Sequence, residues 1–336
     1  MTSRISRIDD FQRRHKVLGF PLAVIYKYFD DQGAYLAAII TYYAFIAIFP
    51  LLLMGSSILG FFLQGDPDLR DRLLNTALSQ FPIIGDQLGR PEGLSGSTTA
   101  IAVGAIVAIY GAMGLGQACQ NAANVAWSVP RNSRANPFLM RFRSIVFLAI
   151  GGVGILALAI VTSLLANPDA LGKSVAPTFS LGLRLTGLLL TIGIFVGLFR
   201  LVSAGRASAR SVFPGACAAA LMWQVLQIIG NSYVANVINK ANQMNKTFAL
   251  VLGLIAFVYL ASIMAVLGLE LNVVLRRKLY PRALLTPFTD NVSLTKADQA
   301  AYSGYAKSQR HKGFQSVEVT FGDRKIKPPP VEPPPK

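Results

Sequence analysis

The sequence predicts an all-α, polytopic membrane protein with six transmembrane helices and amphipathic interfacial helices beside them. Three observations lead there. Hydrophobic residues make up 53% of the 336 and charged residues only 14%, with a mean hydropathy of +0.47; a soluble core of that size would need a more charged surface. Six stretches are long and apolar enough, as helices, to cross a hydrocarbon layer of roughly 30 Å. The net charge of +16 is spread among the loops rather than gathered in one block, so nucleic acid is not the inferred partner.

Residues 1–31 precede any span. Ile8, Phe11, Leu18, Leu22, Ile25 and Phe29 recur at spacings of three, four or seven, while Arg4, Arg7, Arg13, Arg14 and Lys16 occupy other faces. That is the pattern of a basic amphipathic helix on an anionic leaflet, and Gly19 with Pro21 should break it in two. The opening MTSRISRIDDFQRRHK has neither an apolar core nor a small-residue cleavage site, so the first span is expected to serve as the insertion signal. That span, about 35–63, would reach about 43 Å as a straight helix. It should bend at Pro50, which cannot donate to the Ile46 carbonyl and whose ring crowds that turn. Residues 64–96 read as an outer amphipathic insert, helical through Leu69, Leu73, Ala77 and Phe81 and loop-like from Gly85 to Gly96.

The second span, about 97–127, opens with twenty uncharged residues in which Gly104, Ala108, Ala112 and Gly116 recur every four, a small-residue stripe for close helix packing. Gln117, Gln120, Asn121 and Asn124 then crowd its last turns, with Gln117, Asn121 and Asn124 on one side. Amides at that depth need partners, either on other helices or in a water-filled cavity. A third span, about 144–166, follows a basic loop, and a fourth, about 181–201, follows a short outer turn. The fifth, about 211–237, repeats the second: small residues first, in PGACAAA from Pro214 to Ala220, then Gln224, Gln227 and Asn231 on one face. A polar side chain at the bilayer centre is unfavourable against lipid, so this stripe is expected to look inward. The sixth span, about 247–275, carries Glu270 and Asn272 near its end. Glu270 is about 9 Å of helix from Arg276, within reach of Arg200, Arg206 or Arg210; a structural ion pair and a coupling role in proton-linked transport are both open.

Three regions result: a basic amphipathic segment at 1–31, a six-helix membrane domain at 32–279, and a disordered, basic, proline-rich tail at 280–336 ending in KPPPVEPPPK. The loops and arm on the side of the N-terminus, up to residue 282, hold seventeen Lys and Arg; the opposite side holds seven, Arg70, Arg72, Arg90, Lys173, Arg184, Lys240 and Lys246. By the positive-inside rule both termini are cytoplasmic. Cys119 and Cys217 fall inside spans and are expected to be free thiols.

Three blocks, AYLAAIITYYAFIAIFPLLL at 34–53, PGACAAALMWQVLQ in span five and LGLELNVVL at 267–275, together resemble the YihY/BrkB family of bacterial inner-membrane proteins, formerly labelled ribonuclease BN. The resemblance covers roughly residues 15–280 and departs at NQMNKTFALVLG (242–253), where members often carry Tyr-Gly. It implies an integral protein of the cell envelope, in a family linked to envelope integrity, export and virulence.

The nuclease label fits poorly with these residues. The two histidines, His15 and His311, lie in the flanks, and Glu270 is alone in its span, so neither a metal cluster nor converging carboxylates are expected. No cofactor is implied, and no GxxxxGK[ST] loop is present. Two functions stay open. The first is a transporter or exporter of an amphipathic, lipid-like substrate, with Gln117, Asn121, Asn124, Gln224, Gln227 and Asn231 lining a cavity between spans two and five. The second is a non-transporting envelope scaffold in which those amides bond helix to helix. Membrane lipids of the anionic inner leaflet are the expected partners; a homo-oligomer and envelope partners for the tail are left open.

Overall fold

The computed structural model describes residues 2–62, 76, 83, 98–166, 177–203, 207–241, 243–284, 286–287 and 292–322. Among these every regular element is helical: α1 (Thr2–Arg14), α2 (Lys16–Asp30), α3 (Gly33–Phe62), α4 (Thr98–Ala126), α5 (Pro137–Ala166), α6 (Pro177–Val202), α7 (Ala209–Tyr233), α8 (Gln243–Arg277) and α9 (Lys296–Ser308). A 3₁₀ turn at Arg131–Ser133 precedes α5, and α7 runs on into a π-helical turn at Val234–Ile238. The expected outer insert at 64–96, apart from Thr76 and Ile83, and the proline-rich end from 323 lie outside the described residues.

A helix occupies each of the six predicted stretches. Four are long and apolar enough to cross a membrane, over Pro137–Thr162, Leu181–Val202, Ala209–Ile238 and Asn245–Arg277. The pair Val17–Asp30 and Gly33–Ile48, bent by 66°, makes a fifth if it counts as one span. α3 and α4 are themselves 30 and 29 residues long.

Several boundaries differ from the sequence reading. α5 starts two turns before the predicted Ser144, because Asn136 caps it through Oδ1 to the Leu139 N–H at 2.8 Å and Pro137 takes the first helical position. Arg141 and Arg143, which precede the predicted span, therefore ride on the helix. The break in the N-terminal arm falls at His15, and Pro21 sits inside α2. α3 continues through Pro50; the sharp turn comes at its start, where Gln32 adopts φ 55°.

The chain divides into two compact units. One gathers Met1–Lys27, Ser128–Arg134 and Val273–Lys336. Its centre is a buried ion pair, Arg282 Nε to Asp298 Oδ1 at 2.5 Å, with side chains 1% and 0% exposed. Asp298 also accepts from the Ala283 N–H and from the N–H and hydroxyl of Thr295. The Thr295 hydroxyl in turn accepts the Asp298 N–H at 3.1 Å, so the two residues form a capping box that starts α9. The Arg282 guanidinium lies 5.3 Å from the Tyr302 ring and the Lys27 ammonium 5.1 Å from the Tyr305 ring. From α1, Gln12 donates to the Arg282 carbonyl at 2.6 Å. Asp9 accepts from the Leu284 N–H and pairs with Arg13. Burial pushes the Asp9 carboxyl up, but the Arg13, Gln12 and Leu284 donors outweigh it and hold the group below its ordinary value.

This corrects the reading of 280–336 as a disordered tail: residues 292–322 contain α9 and are built into the unit. A short alanine-rich helix buries Ala297 and Ala301 without any large apolar stripe, so hydrophobic periodicity passes over it.

The second unit comprises Tyr28–Trp127 and Ala135–Asn272. In it α3 packs on α4, α4 on α5, α5 on α6 and α6 on α7. Gly116, the last of the small stripe on α4, lies against α5 so closely that a Cβ there would come within 2.7 Å of Ser144 Cα. At the same crossing Gln120 donates to the Met140 carbonyl and to Ser144 Oγ at 2.9 and 3.1 Å. Small residues admit the neighbouring backbone, and an amide then bonds across.

Candidate functional site

The three blocks that carry the family resemblance meet along α8. Thr41 of the first donates to Ser262 Oγ at 3.2 Å. In the second, Pro214 offers no N–H to the Arg210 carbonyl, which loosens the first turns of α7. The next residue, Gly215, sends its N–H out of the helix to Asn272 Oδ1 at 2.7 Å. The two helices cross here backbone to backbone: a Cβ on Gly268 would stand 3.0 Å from the Gly215 carbonyl oxygen and 2.9 Å from Phe199 Cζ. Further along, Trp223 stacks edge-on against Phe257, with centroids 5.9 Å apart, and the Tyr233 hydroxyl donates to the Ala249 carbonyl at 2.9 Å. Leu226 and Ile238 of this face are buried with Leu250, Leu254 and Phe257.

That contact face fixes where the amides of α7 point. Val212, Gly215, Ala216, Ala219, Ala220, Leu226 and Gly230 are buried, which turns Gln224 and Asn231 outward, both exposed, with Gln227 half-buried at the margin. The expectation that this stripe looks inward is therefore corrected: small residues, not amides, decide which side of α7 meets its neighbours, because they allow the closest approach. Exposed Leu221, Val225, Ile228 and Ile229 flank the amides.

The polar line continues past the predicted residues. Asn236 donates to the Ser232 carbonyl at 3.0 Å, and Lys240 donates to Asn236 Oδ1 at 3.1 Å, all on exposed side chains. From Gln224 to Tyr233, the end of α7, the ribbon runs about 14 Å at 1.5 Å per residue, and the π-helical turn and the turn after it carry it on to Asn236 and the cation of Lys240. The spacing of Ser232, Asn236 and Lys240, four apart, is visible in the sequence and marks the extension.

The amides of α4 are placed differently. Asn124 is buried, Gln117 and Asn121 are half-buried, and the neighbouring Gln120 is tied to α5. Glu270 is completely buried, at 0% exposure, in the last turns of α8. Arg200 and Arg210, expected as its partners, are exposed at a helix end and a helix start, and Arg206 lies outside the described residues. Cys119 and Cys217 are free thiols.

No curated protein and no solved structure matches the chain. A sequence profile does: that of the Virulence factor BrkB family fits residues 24–290, a stretch that contains α3 to α8 entire. The chain thus belongs to the Virulence factor BrkB family, as a multi-pass membrane protein with several candidate spans.

Proposed function

We propose that this protein is a six-span carrier of the cell membrane that moves an amphipathic, lipid-like molecule with an anionic head. The head travels along the α7 ribbon while its tail stays among the acyl chains. The observation that carries this reading is the exposure of Gln224 and Asn231 within a candidate span. A carboxamide facing hydrocarbon is costly unless something polar covers it, and a passing headgroup is such a cover. Lys240 at the foot of the ribbon supplies attraction for a negative one. Such a carrier breaks no covalent bond in its substrate and is not an enzyme.

Six crossings, by α3 to α8, complete this reading. Residues 1–27, 128–134 and 273–336 share one compact unit, which supports an even number of crossings between them, by α3 and α4 first and then by α5 to α8. The excess of Lys and Arg in those same segments supports a cytoplasmic unit with both termini inside. Ile8, Phe11, Val17 and Leu18 are exposed on α1 and α2, which suits an arm resting on the anionic inner leaflet.

A second reading, a non-transporting envelope scaffold, is favoured by the way Gln120 spends its amide on α5. There a second copy of the chain would cover the α7 ribbon. Transbilayer movement of a fluorescent phosphatidylglycerol in proteoliposomes separates the two. The wild-type chain should speed it over protein-free vesicles, and the pair Gln224→Leu with Asn231→Leu should slow it about tenfold or more while thermal stability holds. Movement no faster than in protein-free vesicles would favour the scaffold.

A further inference from the structure

The unit that holds both termini carries a basic junction that the carrier reading does not use. Three segments meet there: the loop 128–134, the end of α8, and the chain from Gly304 to Gly313. Asn132 donates its N–H to the Arg310 carbonyl at 3.3 Å, and Arg310 Nε donates to Asn132 Oδ1 at 3.4 Å. Gly304 faces the same place: a Cβ there would lie 3.5 Å from Ser128 Oγ and 3.8 Å from an Arg277 guanidinium nitrogen. Arg134 donates to the Val129 carbonyl at 3.4 Å and folds back on the loop. Its burial, and then the Arg131 charge beside it, pull its pKa down, as expected for a cation that loses water and stands beside another.

Across 128–134, 276–282 and 304–313 stand Arg131, Arg134, Arg276, Arg277, Lys278, Arg282, Lys307, Arg310 and Lys312, and not one Asp or Glu. Arg282 is drawn inward by Asp298 from α9. The junction borders candidate spans on both sides: α8 ends its span at Arg277, and the next begins at Pro137, three residues after Arg134. Cations clustered where helices leave a bilayer sit at the depth of lipid phosphates, and guanidinium forks match phosphate oxygens.

We propose that this junction is a binding site for the phosphate headgroup of an anionic phospholipid. Arg131, Arg277 and Arg310 hold the phosphate, and exposed Asn132 is placed to meet the hydroxyls of a glycerol head. A lipid held there ties three distant parts of the chain together, so its binding should register as stability of the whole unit.

The test uses the full chain in a neutral detergent, melted with dioleoyl-phosphatidylglycerol, with dioleoyl-phosphatidylcholine, or with inorganic phosphate. Phosphatidylglycerol should raise the melting temperature saturably, and the other two should leave it near the detergent value. Arg277→Gln with Arg310→Gln should raise the half-saturating concentration about tenfold or more. Should that pair fail to fold, Arg131→Gln, at an exposed position, should give a smaller shift in the same direction. Arg184→Gln, an exposed cation on α6, should change nothing. Three results would overturn the proposal: equal stabilisation by phosphatidylcholine, the same effect from inorganic phosphate, or an Arg184→Gln loss as large as that of the junction variants.

Discussion

Gly215→Leu should abolish the folded protein. A Cβ at this position would already stand 2.6 Å from Asn272 Cγ and well inside contact with the Gly268 carbonyl, so a whole isobutyl group has nowhere to go. Overpacking a core with mobile side chains typically costs 1–3 kcal/mol; here the obstacles include the backbone of α8, which cannot swing aside. Forcing the helices apart would also strip the Gly215 N–H of its Asn272 acceptor, an uncompensated buried donor that costs a further ~1–3 kcal/mol. The result to look for is loss of the monodisperse peak in fluorescence-detected size exclusion. Gly193→Leu on α6 is the matched control, since nothing lies within 4 Å of a Cβ there; it should express and elute normally.

Asp298→Ala should release α9 while leaving the long helices intact. Asp298 takes the charge of Arg282 and three further donors while fully buried. Removing one partner of such a pair costs about 3–5 kcal/mol, because the other charge stays buried without it. The capping box goes too, adding ~1 kcal/mol. Hydrogen exchange over residues 292–310 should then rise by orders of magnitude, with α5 to α8 unchanged. Replacing both partners, Arg282→Met with Asp298→Leu, should restore much of the protection, since an apolar pair of similar volume carries no orphaned charge. If exchange in the single variant matches wild type, the pair does not hold the unit together.

These two sites also mark where sequence reasoning reached and where it stopped. The long helices were readable because a chain in lipid must satisfy its backbone internally, so apolar length alone implies helix. Gly215 and Asn272 both lie in stretches the sequence singled out, yet their meeting is a fact of tertiary packing that neither helix reveals alone. The outward turn of Gln224 and Asn231 was misread for a related reason. Polarity says that an amide wants a partner, but the rotation of a helix is set by the face that packs most closely, and on α7 that face is glycine and alanine. α9 was missed although Thr295 and Asp298, three apart, spell out its cap; the capping pattern was the signal, and hydrophobic spacing was the wrong one to follow. The sequence offers Arg200, Arg206 or Arg210 as partners of Glu270; its complete burial is a property of the packing around α8 that no single helix reveals.

Transport of this kind depends on a wet, lipid-facing ribbon along α7. Its most direct test is the reactivity of single cysteines placed at 224 and 231, in a background lacking Cys119 and Cys217, toward a membrane-impermeant maleimide in intact membranes. Both positions should label, and added phosphatidylglycerol should slow the labelling. Protection at both positions, together with oxidative cross-linking of 224 to 224 between chains, would contradict it and show the ribbon sealed by a second copy.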